Sequence, residues 1–233
     1  MSNAGSLGVA GASASSFKIE RNEYYATTTY TPSAGVKYFM VECVAGGGGG
    51  GGTGEAPTAG QFCVGGSGGG GEYTNKLLVP SDIPSYPAIL TVGAGGFSGP
   101  SGGTAGGNGG ASSLDSVVIS AGGTGGAGQS AEISLQVTLG GEGGTGGAGS
   151  IQIDGGRGGD SLCAAGGFSG AGGSSYYGSS LPARPFIGAT ENHDGRNAQE
   201  YGSGGQGAMT SDIGQAKTGG AGSAGIVIIT EYS

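Results

Sequence analysis

The chain has 233 residues, of which 62 are Gly and only 10% are charged, with a formal net charge of −8. This length suits one substantial domain or two small ones, and the scarcity of Lys and Arg argues against a nucleic-acid or anionic-membrane partner. No apolar stretch approaches the roughly 18 residues that a spanning helix needs, so no membrane insertion is expected.

Residues 1–16 are small and polar and are expected to be a flexible leader or attachment segment. Residues 1–6 (MSNAGS) read as part of it or as an expression remnant, and nothing there has the apolar core of a secretory signal. From 17 to 30 (FKIERNEYYATTTY), β-branched and aromatic residues predict one or two strands. Residues 31–35 (TPSAG) are a turn. Residues 36–45 (VKYFMVECVA) make the strongest strand. Phe39, Val41 and Cys43 share one face, and Tyr38, Met40 and Val44 share the other. Two apolar faces predict a central, sandwiched strand. Further strands are expected at 72–79 (EYTNKLLV), 88–93 (AILTVG), 114–121 (LDSVVISA) and 133–139 (ISLQVTL), with a Pro-marked loop at 80–87. The closing run 225–232 (GIVIITEY) should neighbour 36–45, antiparallel. An α-helix has almost nowhere to form.

Between these strands lie glycine tracts, most clearly at 46–52, 65–71, 102–110, 122–128, 140–149, 155–159 and 219–225. Within a tract the non-glycine residue recurs every third position, as at Thr124 and Ala127, or at Glu142, Thr145 and Ala148. A period of three fits neither helix nor strand. It fits the polyproline II helix, whose unpaired N–H and C=O groups point outward and must find partners on neighbouring chains if buried. So much glycine can instead mean disorder. The low charge, the 35% of hydrophobic residues and their strand-like clustering weigh against that. Collagen is excluded, because the period breaks every ten residues or so and Pro numbers only 8. The expected fold is mainly β with irregular structure: a short strand framework plus a packed sandwich of polyglycine II helices, one domain over 17–233.

Signals for chemistry are sparse. GxGxxG arises here by chance, and no GK[ST] closes a phosphate loop. Cys43, Cys63 and Cys163 are scattered and form no CxxC. With one His they cannot complete a zinc site, so neither metal nor cofactor is expected. Free thiols are the simplest reading, and a Cys63–Cys163 disulfide has no support from spacing. His193 with Asp194 and Ser179 or Ser180 invites a hydrolase reading, but no nucleophile elbow frames a serine. A pair of carboxylates on loops could in principle build a glycosidase cleft, although the long β-helix repeats of depolymerising tailspikes are missing. Phe62, Phe97 and Phe168 adjoin glycine tracts and are expected to cap the ends of the glycine helices. The segment 174–201 (SSYYGSSLPARPFIGATENHDGRNAQEY) stands out, since loops this long inside a compact domain are usually functional or disordered. Smaller insertions of similar character occupy 53–64 and 208–218.

Several phrases, in order, resemble the glycine-rich tip region of bacteriophage tail fibres. They are TYTPSAGVKYFMVECVAGGGGGGG at 29–52, GGGGEYTNKLLVP at 68–80, AILTVGAGG at 88–96, GGNGGASSLDSVVISAGGTGG at 106–126 and GGAGSAGIVIITEY at 219–232. The likeness covers roughly 17–233. It is similar in design to T-even-like adhesins, in which variable loops between polyglycine II helices contact receptors. The resemblance implies a non-enzymatic, receptor-binding tip on the virion, made in the host cytoplasm. Its partners would be a bacterial surface protein or polysaccharide and other tail-fibre proteins. No fibre-attachment domain of those adhesins is evident at the N-terminus. Tyr176, Tyr177, Arg184, Phe186, His193, Arg196 and Tyr201 become the candidate receptor-binding residues, because aromatic and Arg anchors beside adaptable amides suit recognition; the alternative, compatible with it, is that the aromatics pack the loop onto the bundle. The alternatives are a structural or assembly protein of the tip, and a glycine-rich extracellular or ice-binding module.

Overall fold

Where β-branched and aromatic residues alternate, the backbone forms strands, and where glycine recurs every third residue it forms threefold helices. The computed structural model describes residues 17–132, 134–163, 166–187 and 192–233, without the side chains of Phe186 and Ile187. In chain order the strands are β1 (Ile19–Tyr24), β2 (Thr28–Tyr30), β3 (Tyr38–Val44), β4 (Phe62–Val64), β5 (Tyr73–Leu78), β6 (Ala88–Thr91), β7 (Ser112–Leu114) and β8 (Val118–Ser120). They continue with β9 (Gln136–Thr138), β10 (Ile151–Ile153), β11 (Ser161–Cys163), β12 (Gly166–Ser169), β13 (Arg184–Ile187), β14 (Met209–Ser211) and β15 (Ile226–Tyr232). Among the described residues the only helical element is a 3-10 turn at Pro80–Asp82.

The base of the molecule is a sandwich. A five-stranded sheet in the order β1-β15-β3-β5-β10 faces a four-stranded sheet in the order β2-β6-β7-β8. Phe39, Val41, Val227, Ile229 and Leu78 from the first sheet pack with Tyr30, Ala88, Leu90, Leu114 and Val118 from the second. As expected, β15 pairs antiparallel with β3, from Ile226↔Val44 to Tyr232↔Tyr38. Two expectations are corrected. The segment 114–121 is not one strand: β7 and β8 form a hairpin, turned at Asp115 with φ 44°. β3 is central in its sheet but is sandwiched on one face only. On its other face Val44 is buried, but Tyr38 is exposed and Met40 and Glu42 are half-buried, because among the described residues no second sheet covers them.

Above the sandwich stands the glycine bundle. The N–H groups of 46–52 turn to three neighbours in rotation. Gly46, Gly49 and Gly52 donate to Gly110, Gly107 and Thr104; Gly47 and Gly50 donate to Ser223 and Gly220; Gly48 and Gly51 donate to Gly69 and Gly66, all at 2.8–3.0 Å. Its carbonyls accept from Gly96 and Gly99, from Gly205 and Ala208, and from Gly123 and Gly126, which lie in three further tracts. Six neighbours in hexagonal array account for the unbroken run of seven glycines. A Cβ at Gly48 would lie 2.0 Å from the Thr124 carbonyl oxygen, and one at Gly50 would lie 2.1 Å from that of Gln206. Tract 65–71 is a second such centre. It donates to tracts around 202–208, 124–127 and 156–159, and accepts from 48–51, 141–144 and 173. Peripheral tracts keep their non-glycine residues outward, as at the exposed Glu142 and Thr145.

The far end of the bundle is closed by a sheet in the order β13-β12-β11-β9 and by the pair β14-β4. β4 and β14 come from the two smaller insertions, which are joined further by a 2.6 Å hydrogen bond between the Thr53 and Thr210 hydroxyls. All three cysteines are free and buried. Cys163 shares a small cluster with Phe62, Val64 and Met209.

Candidate functional site

The far-end sheet is built inside out. In an ordinary half-buried sheet the apolar face is turned inward. Here the inward row carries Thr138, Ser161, Cys163 and Ser169, all buried. Beneath Ser161 and Ser169 lies glycine backbone, which offers carbonyls rather than side chains, while Cys163 packs with Phe62, Val64 and Met209. Ser161 Oγ donates to Gly65 O at 2.8 Å, and Ser169 Oγ donates to Gly207 O at 3.2 Å. Thr138 Oγ1 donates to Gln129 Oε1 at 2.8 Å. Small hydroxyls therefore satisfy the bundle, and period-two alternation turns the apolar side chains to solvent.

The outward row crosses all four strands. Val137 is opposite Leu162, Leu162 is opposite Phe168, and Phe168 is opposite Pro185. Val137 is 56% exposed and Phe168 42% exposed. Leu135 and Leu139 extend the row along the β9 edge and are exposed as well. A contiguous apolar surface of this kind is a candidate interaction site rather than a scatter of single hydrophobes.

The sequence-predicted site residues do not form one cluster. Tyr176, Tyr177 and Tyr201 lie at the base, since Gly71, immediately before Glu72 and β5, donates to Gly202 O. Tyr176 stacks on Tyr73 with ring centroids 4.1 Å apart, and Tyr177 Oη donates to Glu42 Oε1 at 2.9 Å. Burial, then that carboxylate, push the Tyr177 phenol up to about 12. Tyr201 stacks on Tyr25 at 5.9 Å. These rings cover part of the open face of β3 and β15, above Ile226 and Ile228.

The others lie on the bundle or at its far end. Arg184 is opposite Ser169 in the inward-facing row and is half-buried, and the Phe186 backbone is opposite Gly167. The His193 backbone bridges Met209 at the foot of β14. Arg196 Nε donates to Gln206 Oε1 at 2.9 Å, and its Nη2 donates to Pro182 O at 2.8 Å. The stretch 193–200 is therefore not an irregular loop but one more threefold strand of the bundle. Gly195 N–H and Ala198 N–H donate to Thr218 O and Ala221 O. In the same three-residue rhythm, Asp194 Oδ1 accepts from Thr218 N and Asn197 Oδ1 accepts from Ala221 N. Ser179 donates through both N and Oγ to Glu200 Oε2, so the serine and Asp194 of the hydrolase reading serve backbone ties. Residues 188–191 of the predicted loop lie outside the described residues.

The three phenylalanines expected at helix ends also differ. Phe97 flanks a tract and is exposed, Phe168 lies in the outward row, and Phe62 is buried in β4. Sequence reasoning missed Val137, Leu162, Phe168 and Pro185 as a surface. The signal was present as the alternation of LQVTL at 135–139, which reads as a strand with its leucines inward. Among the described residues no cluster of His, Cys, Asp and Glu could hold a metal ion, and no helix is long and apolar enough to cross a membrane.

A model of a glycine-rich domain matches residues 22–232, nearly the entire described chain. The chain belongs to this glycine-rich domain family. Comparison with curated proteins finds no match.

Proposed function

We propose that the chain is the tip adhesin of a bacteriophage tail fibre and that it binds a bacterial surface receptor with the far end of its glycine bundle. The observation that carries this reading is the outward row Val137–Leu162–Phe168–Pro185, held on a bundle tied by backbone hydrogen bonds. A preorganised platform lowers the ordering cost of binding. An apolar centre of this kind matches the core of a protein-binding patch. The resemblance of the glycine phrases to tail-fibre tips supplies the biological setting, with other tail-fibre proteins as partners at the base.

The test is labelling of bacterial cells by purified protein. Wild type should label a host strain, and Val137→Asp with Phe168→Asp should abolish labelling without changing the melting temperature. Unchanged labelling by the double variant would remove the far-end sheet from recognition. A second reading, an assembly protein of the fibre tip, is favoured by an aromatic run at the base sheet, where half-buried Tyr232 lies between exposed Phe17 and Tyr38 with ring centroids 6.3 and 5.1 Å apart. That reading expects no cell labelling and co-purification with a fibre protein.

A further inference from the structure

The base carries a cleft of about 230 Å³, lined by Arg21, Glu23, Tyr177, Tyr201, Ile226 and Ile228. Its construction is specific. Ile226 and Ile228 are adjacent outward-facing residues of β15 and are almost fully buried by the tyrosines beside them. The Tyr177 ring is fixed by its bond to Glu42 and by an edge contact with Tyr176 at 5.0 Å. The Tyr201 ring is fixed by its stack on Tyr25, whose hydroxyl is itself held by Glu23. Beside the apolar floor, on the neighbouring strand β1 where Glu23 is in register with Ile228, Arg21 Nη1 and Glu23 Oε1 form a pair at 3.0 Å. A guanidinium has five donors and a carboxylate about four acceptor sites, so the pair retains both kinds of hydrogen-bonding capacity toward the cleft.

We infer that this cleft binds a single neutral pyranose ring, as a free sugar or as the end of a glycan. Such a ring has an apolar C–H face for a tyrosine wall and adjacent hydroxyls that both donate and accept, which is the complement of the Arg21–Glu23 pair. The volume is below the range usual for drug-sized ligands, which matches one ring rather than a chain. Charge selects the neutral class. Glu23 at the rim and Glu42 behind Tyr177 outnumber the one cation, Arg21, so an acidic sugar meets net repulsion. The inference goes beyond the adhesin reading and does not rest on it, because the cleft lies at the opposite end of the bundle from the apolar row.

The experiment titrates the full chain, with its tyrosines ¹³C-labelled, against methyl α-glucopyranoside, methyl α-galactopyranoside, N-acetylglucosamine and, as the acidic comparison, glucuronate. At least one neutral sugar should shift the ring signals of Tyr177 and Tyr201 in a saturable way, and glucuronate should bind more weakly. Tyr201→Ala should weaken binding about tenfold, the loss of one aromatic contact. Glu23→Gln keeps the size of the side chain and tests the polar rim separately, with a loss of similar size expected. Absence of a saturable shift with every neutral sugar would overturn the proposal. So would tighter binding of glucuronate, or unchanged affinity in both variants. Cell labelling by the far-end variants tests the adhesin reading independently, so either idea can fail alone.

Discussion

Glu72 accepts the Gly147 N–H with both carboxylate oxygens, at 3.1 and 2.9 Å, and accepts Ala121 N–H at 2.8 Å with one of them. The side chain is wholly buried at the junction where β5 meets the glycine bundle. It receives the N–H just ahead of tract 122–128 and one near the end of tract 140–149. Glu72→Ala should therefore leave two half-buried donors without their partner, at about 1 kcal/mol each. Glu72→Gln retains one acceptor oxygen and should fall between the two. Urea denaturation gives the comparison, and an alanine variant within 0.5 kcal/mol of wild type would contradict the role.

Glycine positions should divide by what surrounds them. A Cβ at Gly48, Gly125 or Gly144 would lie 2.0 Å from a neighbouring carbonyl oxygen. At Gly54 the nearest atom would be 3.4 Å away. Gly48→Ala, Gly125→Val and Gly144→Val should cost about 3 kcal/mol or more, or prevent folding, because backbone cannot swing aside. Gly54→Ala and Thr145→Val should melt within a few degrees of wild type. Equal melting temperatures across these variants would sink the hexagonal packing.

Removing residues 225–233 should abolish folding. β15 lies between β1 and β3, and its Val227 and Ile229 are core residues. Its loss would also expose Phe39 and Val41. Recovery of the truncated protein in soluble form, with an unchanged cooperative transition, would show the strand to be dispensable.

Tyr176 should matter to the fold and not to cell recognition. Tyr176→Ala removes the stack on Tyr73, at a cost of about 0.5–1.5 kcal/mol, and leaves the far end untouched. Thermal melts paired with cell labelling separate the two effects. Loss of labelling at unchanged stability would return this residue to the receptor site.

Alkali should destabilise the protein over a defined window. Burial pushes the Cys43 thiol up to about 12 and the Cys63 thiol to about 11, from an ordinary value of 9.0. Both stay protonated in the fold while the unfolded chain ionises. The stability they contribute is complete below about pH 9 and is lost as pH rises toward 11–12. The melting temperature should decline across that interval, and Cys43→Ser should flatten the decline. At neutral pH the buried thiols should resist iodoacetamide until the chain unfolds.

How much of this was legible depends on what lies beneath each strand. At the base, side chains pack on side chains. Phe39, Val41 and Cys43 therefore announced an inward face, and the apolar run at 226–229 announced its partner. The hairpin at Asp115 was missed because VVI continues past a turn held by a single positive φ. At the far end the strands rest on backbone, which selects Ser, Thr and Cys for the inward face. Alternation then carries the opposite meaning, and Val137 reads as core when it is surface. The stretch 193–200 was hidden for a related reason. Asp194 and Asn197 replace the expected glycine pattern while supplying acceptors at the same spacing. Short strands such as β10 and β14, three residues each, carry too little sequence to signal themselves.

The hydrogen bonds of 46–52 run sideways to the tract, in three directions around its axis. Tension between the base and the far end therefore loads them in shear, all together, rather than peeling them one at a time. A tract of this length spans about 20 Å, and sliding it requires every lateral bond along it to break at once. The two central tracts are each gripped by six others, so a pull on one is shared across the cross-section. Along 46–52 the resistance to such a pull comes from peptide groups rather than from side-chain packing.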